Sequence, residues 1–413
     1  MTALKTCATR SERAPEMREM TDKDDSSKGA ARPETKVVHL GRDPFDHHGF
    51  VNPPVYRGST VLYKTLDAIK SRKQPYTYGR RATPTTRALE DAITDLEGGA
   101  VTILTSSGLG AVSTAMLAFV SAGDHILITD SAYQPGRAFA DRMLKRLGVE
   151  TTYYDPLAGA DIAKLFRPNT RLVLVESPGS QTFEMQDIPA IAAAARARDI
   201  WVLADNTWAT PLFCKPLALG ADVSIQAATK YIVGHADAML GAVTANARAA
   251  RLLDHAKEAL GTCPGSEETY LGLRGLRTLD VRLERHQKSA LAVAEWLSSR
   301  PEVDRVLYPA LPSDPGHTIW KRDYTGASGL FTAVLKPVSE QALAAFLDGL
   351  TLFGMGYSWG GYESLVIPFD PTSYRTATKW TGPGPALRFH IGLEAVEDLI
   401  RDLDAGFARL KAA

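Results

Sequence analysis

The chain has 413 residues, more than one hydrophobic core ordinarily serves, so two domains are the first expectation. Lys+Arg and Asp+Glu both number 47, and a net charge near zero argues against a nucleic-acid partner. Cys7, Cys214 and Cys263 lack CxxC spacing, which disfavours a disulfide framework or zinc cluster, and no apolar run nears the ~20 residues that span a bilayer.

Residues 1–34 are rich in Lys, Arg, Asp, Glu, Ser and Thr and carry no aromatic side chain. Such a segment buries too little surface to offset its ordering, so a disordered N-terminal arm is expected. It lacks the apolar stretch of a secretory signal, and its acidic residues argue against a mitochondrial leader. A cytoplasmic protein is the resulting expectation. Residues 35–82 form a Pro-containing, extended-looking segment that includes Tyr76-Thr77-Tyr78-Gly79-Arg80. Arg80 and Arg81 read equally well there as a solvated basic pair.

From 83 to 276 helix-period stretches (Arg87–Glu97, Gly110–Val120) alternate with short apolar runs. The runs are Val101–Leu104, His125–Thr129, Arg171–Val175, Trp201–Ala204 and Asp222–Ile225. This alternation predicts an α/β domain with a mostly parallel sheet, which binds ligands beyond the carboxyl ends of its strands. After the first run, Thr105-Ser106-Ser107-Gly108-Leu109-Gly110 opens a helix, and free backbone N–H groups there suit a phosphate. An ordinary strand–helix turn would look the same. Neither a GxGxxG fingerprint nor a P-loop lysine occurs. The second run leads to Tyr133, an aromatic for stacking or plain packing. The fourth ends in Asp205, suited to a protonated pyridine nitrogen or to capping the next helix. The fifth ends in Ala227-Ala228-Thr229-Lys230-Tyr231. A lysine at a buried strand end can shed its charge by forming an imine, or can simply snorkel outward.

Beyond residue 277, helical stretches at Glu284–Leu297, Glu340–Leu347 and Ala395–Leu410 surround an apolar strand, Leu387–Ile391, and predict a smaller α+β domain. Arg388 in that strand has the planar guanidinium that grips a carboxylate. His39, His47, His48 and His317 show no metal-ligand spacing.

Several stretches, in this order, are similar to the transsulfuration (Cys/Met metabolism) family of pyridoxal-phosphate enzymes. They are Tyr76–Arg80, Ala204–Thr207, Ala228–Tyr231 with Gly234-His235, Gly275–Leu279 and Arg388–Gly392. The resemblance implies the aspartate aminotransferase-like fold (PLP fold type I), with a cofactor-binding large domain at 83–276 and a small domain at 277–413. It implies pyridoxal 5'-phosphate held covalently on Lys230, its ring nitrogen on Asp205 and its ring under Tyr133. Gly108, Leu109 and Thr229 would bind the phosphate from one subunit, and Tyr78 and Arg80 from a neighbour, making a homodimer the minimum assembly and a homotetramer the usual one. Ala227 departs from the serine common among relatives, which would remove one phosphate bond. Arg388, Ser358 and Trp359 would hold an amino-acid substrate.

Three local features resemble the bacterial cystathionine β-lyases of the family: Trp359 within Tyr357–Ser364, the Glu176-Ser177-Pro178-Gly179-Ser180 run, and the absence of a cysteine near Tyr133. They imply cleavage of L-cystathionine to homocysteine, pyruvate and ammonia, with Lys230 and Tyr133 as catalytic residues. A γ-lyase or γ-synthase, a broader cysteine-S-conjugate β-lyase and a non-catalytic regulatory relative are the alternatives.

Overall fold

The computed structural model describes residues 31–71 and 73–413, so the arm expected at 1–34 lies outside the described residues except for its last four. Of those, Pro33 and Glu34 already open a helix, Pro33–His39, pinned by buried Val37 and by Lys36 on Asp95.

Seven strands form the larger sheet: β1 Val101–Thr105, β2 His125–Thr129, β3 Glu150–Tyr154, β4 Thr170–Glu176, β5 Trp201–Asp205, β6 Val223–Gln226 and β7 Gly241–Ala245. Their order is β1-β7-β6-β5-β4-β2-β3, and only β7 runs against the rest. The alternating pattern thus gives the mostly parallel sheet that it predicts. β3 and β7 escape that pattern for different reasons. β3 is an edge strand, Glu-Thr-Thr-Tyr-Tyr, half open to solvent, whereas β7 is buried but built from small residues. The helix expected from Arg87 begins at Pro84, because Thr83 caps it: its side chain accepts from the Thr86 N–H while the Thr86 hydroxyl accepts from the Thr83 N–H.

The second sheet is antiparallel, in the order β10-β11-β9-β8: β8 Val303–Leu307, β9 Leu330–Leu335, β10 Leu365–Phe369 and β11 Ala386–His390. Helices Leu279–Ser298, Glu340–Asp348 and Val396–Ala412 cover it, the α+β arrangement expected of this part of the chain. Phe331, Phe346, Phe389 and Phe407 centre its core. Phe183, Met185 and Trp208, which follow β4 and β5, bury themselves in the same cluster. Burial of such large side chains contributes roughly 1.5–3 kcal/mol each, so the two sheets are fixed across the space between them.

Candidate active site

The carboxyl ends of β1, β2, β4, β5 and β6 face a cavity of ≈ 640 Å³ that also meets β11. Nine of the expected residues line it: Lys230, Asp205, Tyr133, Gly108, Leu109, Thr229, Arg388, Ser358 and Trp359. Tyr78 and Arg80 are elsewhere: they line a separate cleft with Lys257 and Ser266. Within one chain the structure does not bring them to Lys230.

Lys230 sits in the turn after β6, its N–H donating to Ala227 O at 2.9 Å. Its Nζ donates to Ser358 Oγ at 2.7 Å and lies 5.2 Å from the Trp359 ring centre. Burial, and then the nearby Arg388 charge, lower its pKa to about 8, while Asp205 opposes the shift. Roughly a tenth of this amine is therefore uncharged at pH 7, far more than in a snorkelling lysine at its ordinary pKa. Gly360 allows the close approach: its φ is +86°, and a Cβ there would meet the Lys230 Cα at 2.9 Å.

Asp205 ends β5. Its Oδ1 accepts from the Thr207 N–H at 3.0 Å and the Thr207 hydroxyl at 2.6 Å. Thr207 Oγ1 in turn accepts from the Ala227 N–H at 2.8 Å, which locks the ends of β5 and β6 together. Both Thr207 bonds fall on Oδ1, leaving Oδ2 for a donor in the cavity. Desolvation raises the carboxyl against its bonds to Thr207.

The helix Gly108–Leu117 starts under the cavity, with Ser107 as its cap accepting from the Gly110 N–H at 3.0 Å. The N–H groups of Gly108 and Leu109 have no protein acceptor, the usual condition of a helix's first turn. A Cβ on Gly108 would strike Ala227 Cβ at 2.4 Å, so glycine lets the helix meet the lysine turn. Thr229 is less available than the sequence suggests. Its hydroxyl donates to Leu240 O at 3.1 Å and accepts from the Leu240 N–H at 2.8 Å.

Tyr133 is anchored through its backbone, its N–H donating to Glu176 Oε2 at 2.6 Å. Desolvation, together with Asp205 and Glu176, raises its phenol pKa, and Arg388 pulls the other way. Glu176, cited from the sequence only as the start of a run and given no role there, lines the cavity. It faces Asp205 in register across β4 and β5, and desolvation with the Asp205 charge pushes its carboxyl far up. Two carboxyls in register at adjacent strand ends were its signal. Arg388 is buried at 8 % exposure; Nη2 donates to Ser358 O at 3.0 Å, while buried Nε has no partner. Burial lowers its pKa to about 10, yet it stays charged.

The donor set fits pyridoxal phosphate: unpaired N–H groups at a helix start for the phosphate, an aromatic ring for the pyridine, a carboxylate oxygen for its nitrogen and a partly neutral lysine for its aldehyde. Arg388 Nε, orphaned and buried, calls for an anion beside it. Among the described residues no cluster of His, Cys, Asp and Glu is placed to hold a metal ion, and no helix is long and apolar enough to cross a membrane.

Known proteins are similar to this chain over most of its length. The cystathionine beta-lyase of Escherichia coli is 46% identical over 388 residues, 91% of this chain and 98% of its own length. The L-alanine/L-glutamate racemase of Wolbachia pipientis is 40% identical over 393 residues, covering 91% of this chain and 97% of that protein. The crystal structure of cystathionine gamma synthase from Xanthomonas oryzae pv. oryzae superposes with a TM-score of 0.85 at 32% identity, covering 92% of this chain and 99% of that one. Residues 34–408 match the family described as Cys/Met metabolism PLP-dependent enzyme, and the chain belongs to that family.

Proposed function

We propose that the chain is a carbon–sulfur β-lyase that cleaves L-cystathionine, with water, to homocysteine, pyruvate and ammonia, a step in methionine biosynthesis. The observation that carries this reading is the Lys230 amine on Ser358, between Asp205 and Arg388, in a cavity walled by Trp359. The likeness to the Escherichia coli lyase over nearly the whole chain supports it.

Arg388 binds the substrate α-carboxylate through its unpartnered Nε edge, which turns Cα toward Lys230. When bound, pyridoxal phosphate supplies the carbonyl that takes the substrate amine and the ring that accepts electrons from Cα. Asp205 Oδ2 would keep the ring nitrogen protonated, and the Gly108 and Leu109 N–H groups would hold the phosphate with Thr229 beside them. Lys230, its charge disfavoured by burial and then by Arg388, accepts the Cα proton at Nζ, and Ser358 Oγ orients that amine. Loss of that proton drives out the homocysteine thiolate from Cβ. Tyr133 would cover the ring and, neutral at its raised pKa, has a proton to give the departing sulfur. Trp359 excludes water from the lysine.

Incubation with L-cystathionine decides between the lyase classes: pyruvate supports this reading, and 2-oxobutyrate would assign the γ-lyase alternative. The racemase relative favours one further reading, in which Lys230 and Tyr133 act on opposite sides of Cα. Conversion of L-alanine to D-alanine tests it.

Self-association belongs to the same proposal. Phe45, Phe50 and Leu62 are 83%, 73% and 85% exposed in the single chain, in the segment that carries Tyr78 and Arg80. Apolar surface of this extent suits a second copy, so a homodimer is the smallest working unit and a homotetramer fits the family. We place the large and small domains at 83–276 and 277–413, and the enzyme in the cytoplasm.

A further inference from the structure

We propose that Gln181 is a second binding residue for the substrate's α-carboxylate, beside Arg388, and that Tyr374 and Asp130 are positioning residues that aim its amide.

The placement follows from strand register. Thr332 on β9 is the Cα partner of Arg388 on β11. Directly opposed residues of an antiparallel pair leave the sheet on the same face, with Cβ atoms about 5 Å apart. Thr332 Oγ1 donates to Gln181 O at 2.7 Å, so Gln181 stands next to the guanidinium that takes the carboxylate. Gln181 also lines the cavity. Its side-chain Oε1 accepts from the Tyr374 hydroxyl at 2.8 Å. With the oxygen committed, the amide N–H pair is left for an acceptor in the cavity, and a carboxylate is the acceptor that Arg388 brings there.

The wall is built to hold this amide still. Gln181 and Phe183 both have positive φ, +65° and +57°, a conformation that persists only where surrounding contacts enforce it. Those contacts come from residues 374–378. Arg375 bonds Glu184 Oε1 at 2.7 Å and also Thr182. Arg137 Nη2 donates to Tyr374 O at 2.6 Å. Asp130, fully buried at the end of β2, gathers the rest: Oδ1 accepts from the Thr376 N–H at 2.9 Å and from Arg137 Nη1 at 3.0 Å. Its Oδ2 accepts from the Thr378 N–H at 2.8 Å and hydroxyl at 2.7 Å. Burial opposes that charge, but the bonds from Thr376 and Thr378 outweigh it and hold the carboxyl below its ordinary range. Burial also lifts the Tyr374 phenol to about 12, so it remains a donor at neutral pH.

This inference rests on the amino-acid-substrate reading above but not on cleavage, and its test is chosen accordingly. The probes are L-norvaline and its decarboxylated counterpart butylamine, titrated against the holoenzyme by calorimetry and by the change in its visible absorption. Gln181→Glu keeps the acceptor for Tyr374 and turns the other end of the amide from a donor into an anion. It should weaken norvaline binding roughly ten- to a hundredfold and leave butylamine within about twofold. Tyr374→Phe and Asp130→Asn should show the same selectivity, at roughly three- to tenfold, with thermal midpoints measured to exclude general damage. If the two ligands weaken together, or neither changes, the assignment is wrong. Normal, variant-sensitive norvaline binding without pyruvate from L-cystathionine would overturn the lyase reading alone.

Discussion

Glu97, at the end of the helix Pro84–Glu97, lies beneath the strand that leads to Lys230. It is 1 % exposed, and its Oε1 accepts from Ser224 Oγ at 3.0 Å and Gln226 Nε2 at 2.9 Å. Oε2 has no partner, and desolvation pushes the carboxyl up to about 7 against those two bonds. The folded protein therefore holds a proton at Glu97 that the unfolded chain releases above pH 4.5. Between those values the unfolded state binds fewer protons, so this contribution to stability falls as pH rises and levels off above 7. At about 1.4 kcal/mol per unit, the interval amounts to roughly 3 kcal/mol. Glu97→Gln keeps the acceptor for Ser224 and Gln226 and cannot ionise. The variant should match the parent in thermal midpoint at pH 4.5 and exceed it by several degrees at pH 8.5. Other titrating groups cancel in the difference between the two proteins. A gap equal at both pH values would mean that Glu97 is ionised throughout and that the reasoning from its burial fails.

Three other outcomes follow from the site. Lys230→Ala should abolish turnover and the cofactor's visible band while the thermal midpoint stays near that of the parent apoprotein; a borohydride-fixed cofactor on another lysine would refute the assignment. Gly360→Ala places a methyl group 2.9 Å from the Lys230 backbone at a φ of +86°, so the Ser358 contact should open and kcat fall at least about tenfold, read by steady-state kinetics with a crystal structure of the loop. Mixing inactive Arg80→Ala chains with inactive Lys230→Ala chains should restore part of the activity if Tyr78 and Arg80 serve a neighbour's site, and no recovery after proven subunit exchange would show that each site is built from one chain.

The parts of the site that sequence made legible are those where a residue type contradicts its setting. Lys230 and Asp205 are charges at the ends of apolar runs, and burial with no packing motive is itself a signal. Gly108 and Leu109 were readable because small residues before a helix expose N–H groups, whatever fills them. β3 and β7 were not, since an edge strand needs no apolar run and a strand of Gly, Ala, Val and Thr offers little contrast. Thr229 shows the limit on single residues: the resemblance assigns it to the phosphate, and only the fold puts Leu240 on both of its hydroxyl's hydrogen-bonding functions.

Gln181, Tyr374 and Asp130 mark a deeper boundary. Gln181 and Tyr374 are 193 residues apart, and Asp130 reaches Thr378 across 248. Neither pairing leaves a local pattern, because each depends on which strands become neighbours. The cavity draws on β1, β2, β4, β5 and β6 for the proposed cofactor side and on β9 and β11 for the proposed carboxylate side. Strand-end chemistry is written within five or six residues, so the cofactor side could be read directly. The side to which we assign the substrate carboxylate is assembled by docking one sheet's loops onto the other, through contacts that exist only once Phe183, Met185 and Trp208 are buried in one cluster with Phe331 and Phe389. That division predicts where variation within such a fold acts: changes at strand ends alter whether chemistry occurs, and changes in the docked loops alter which amino acid it occurs on.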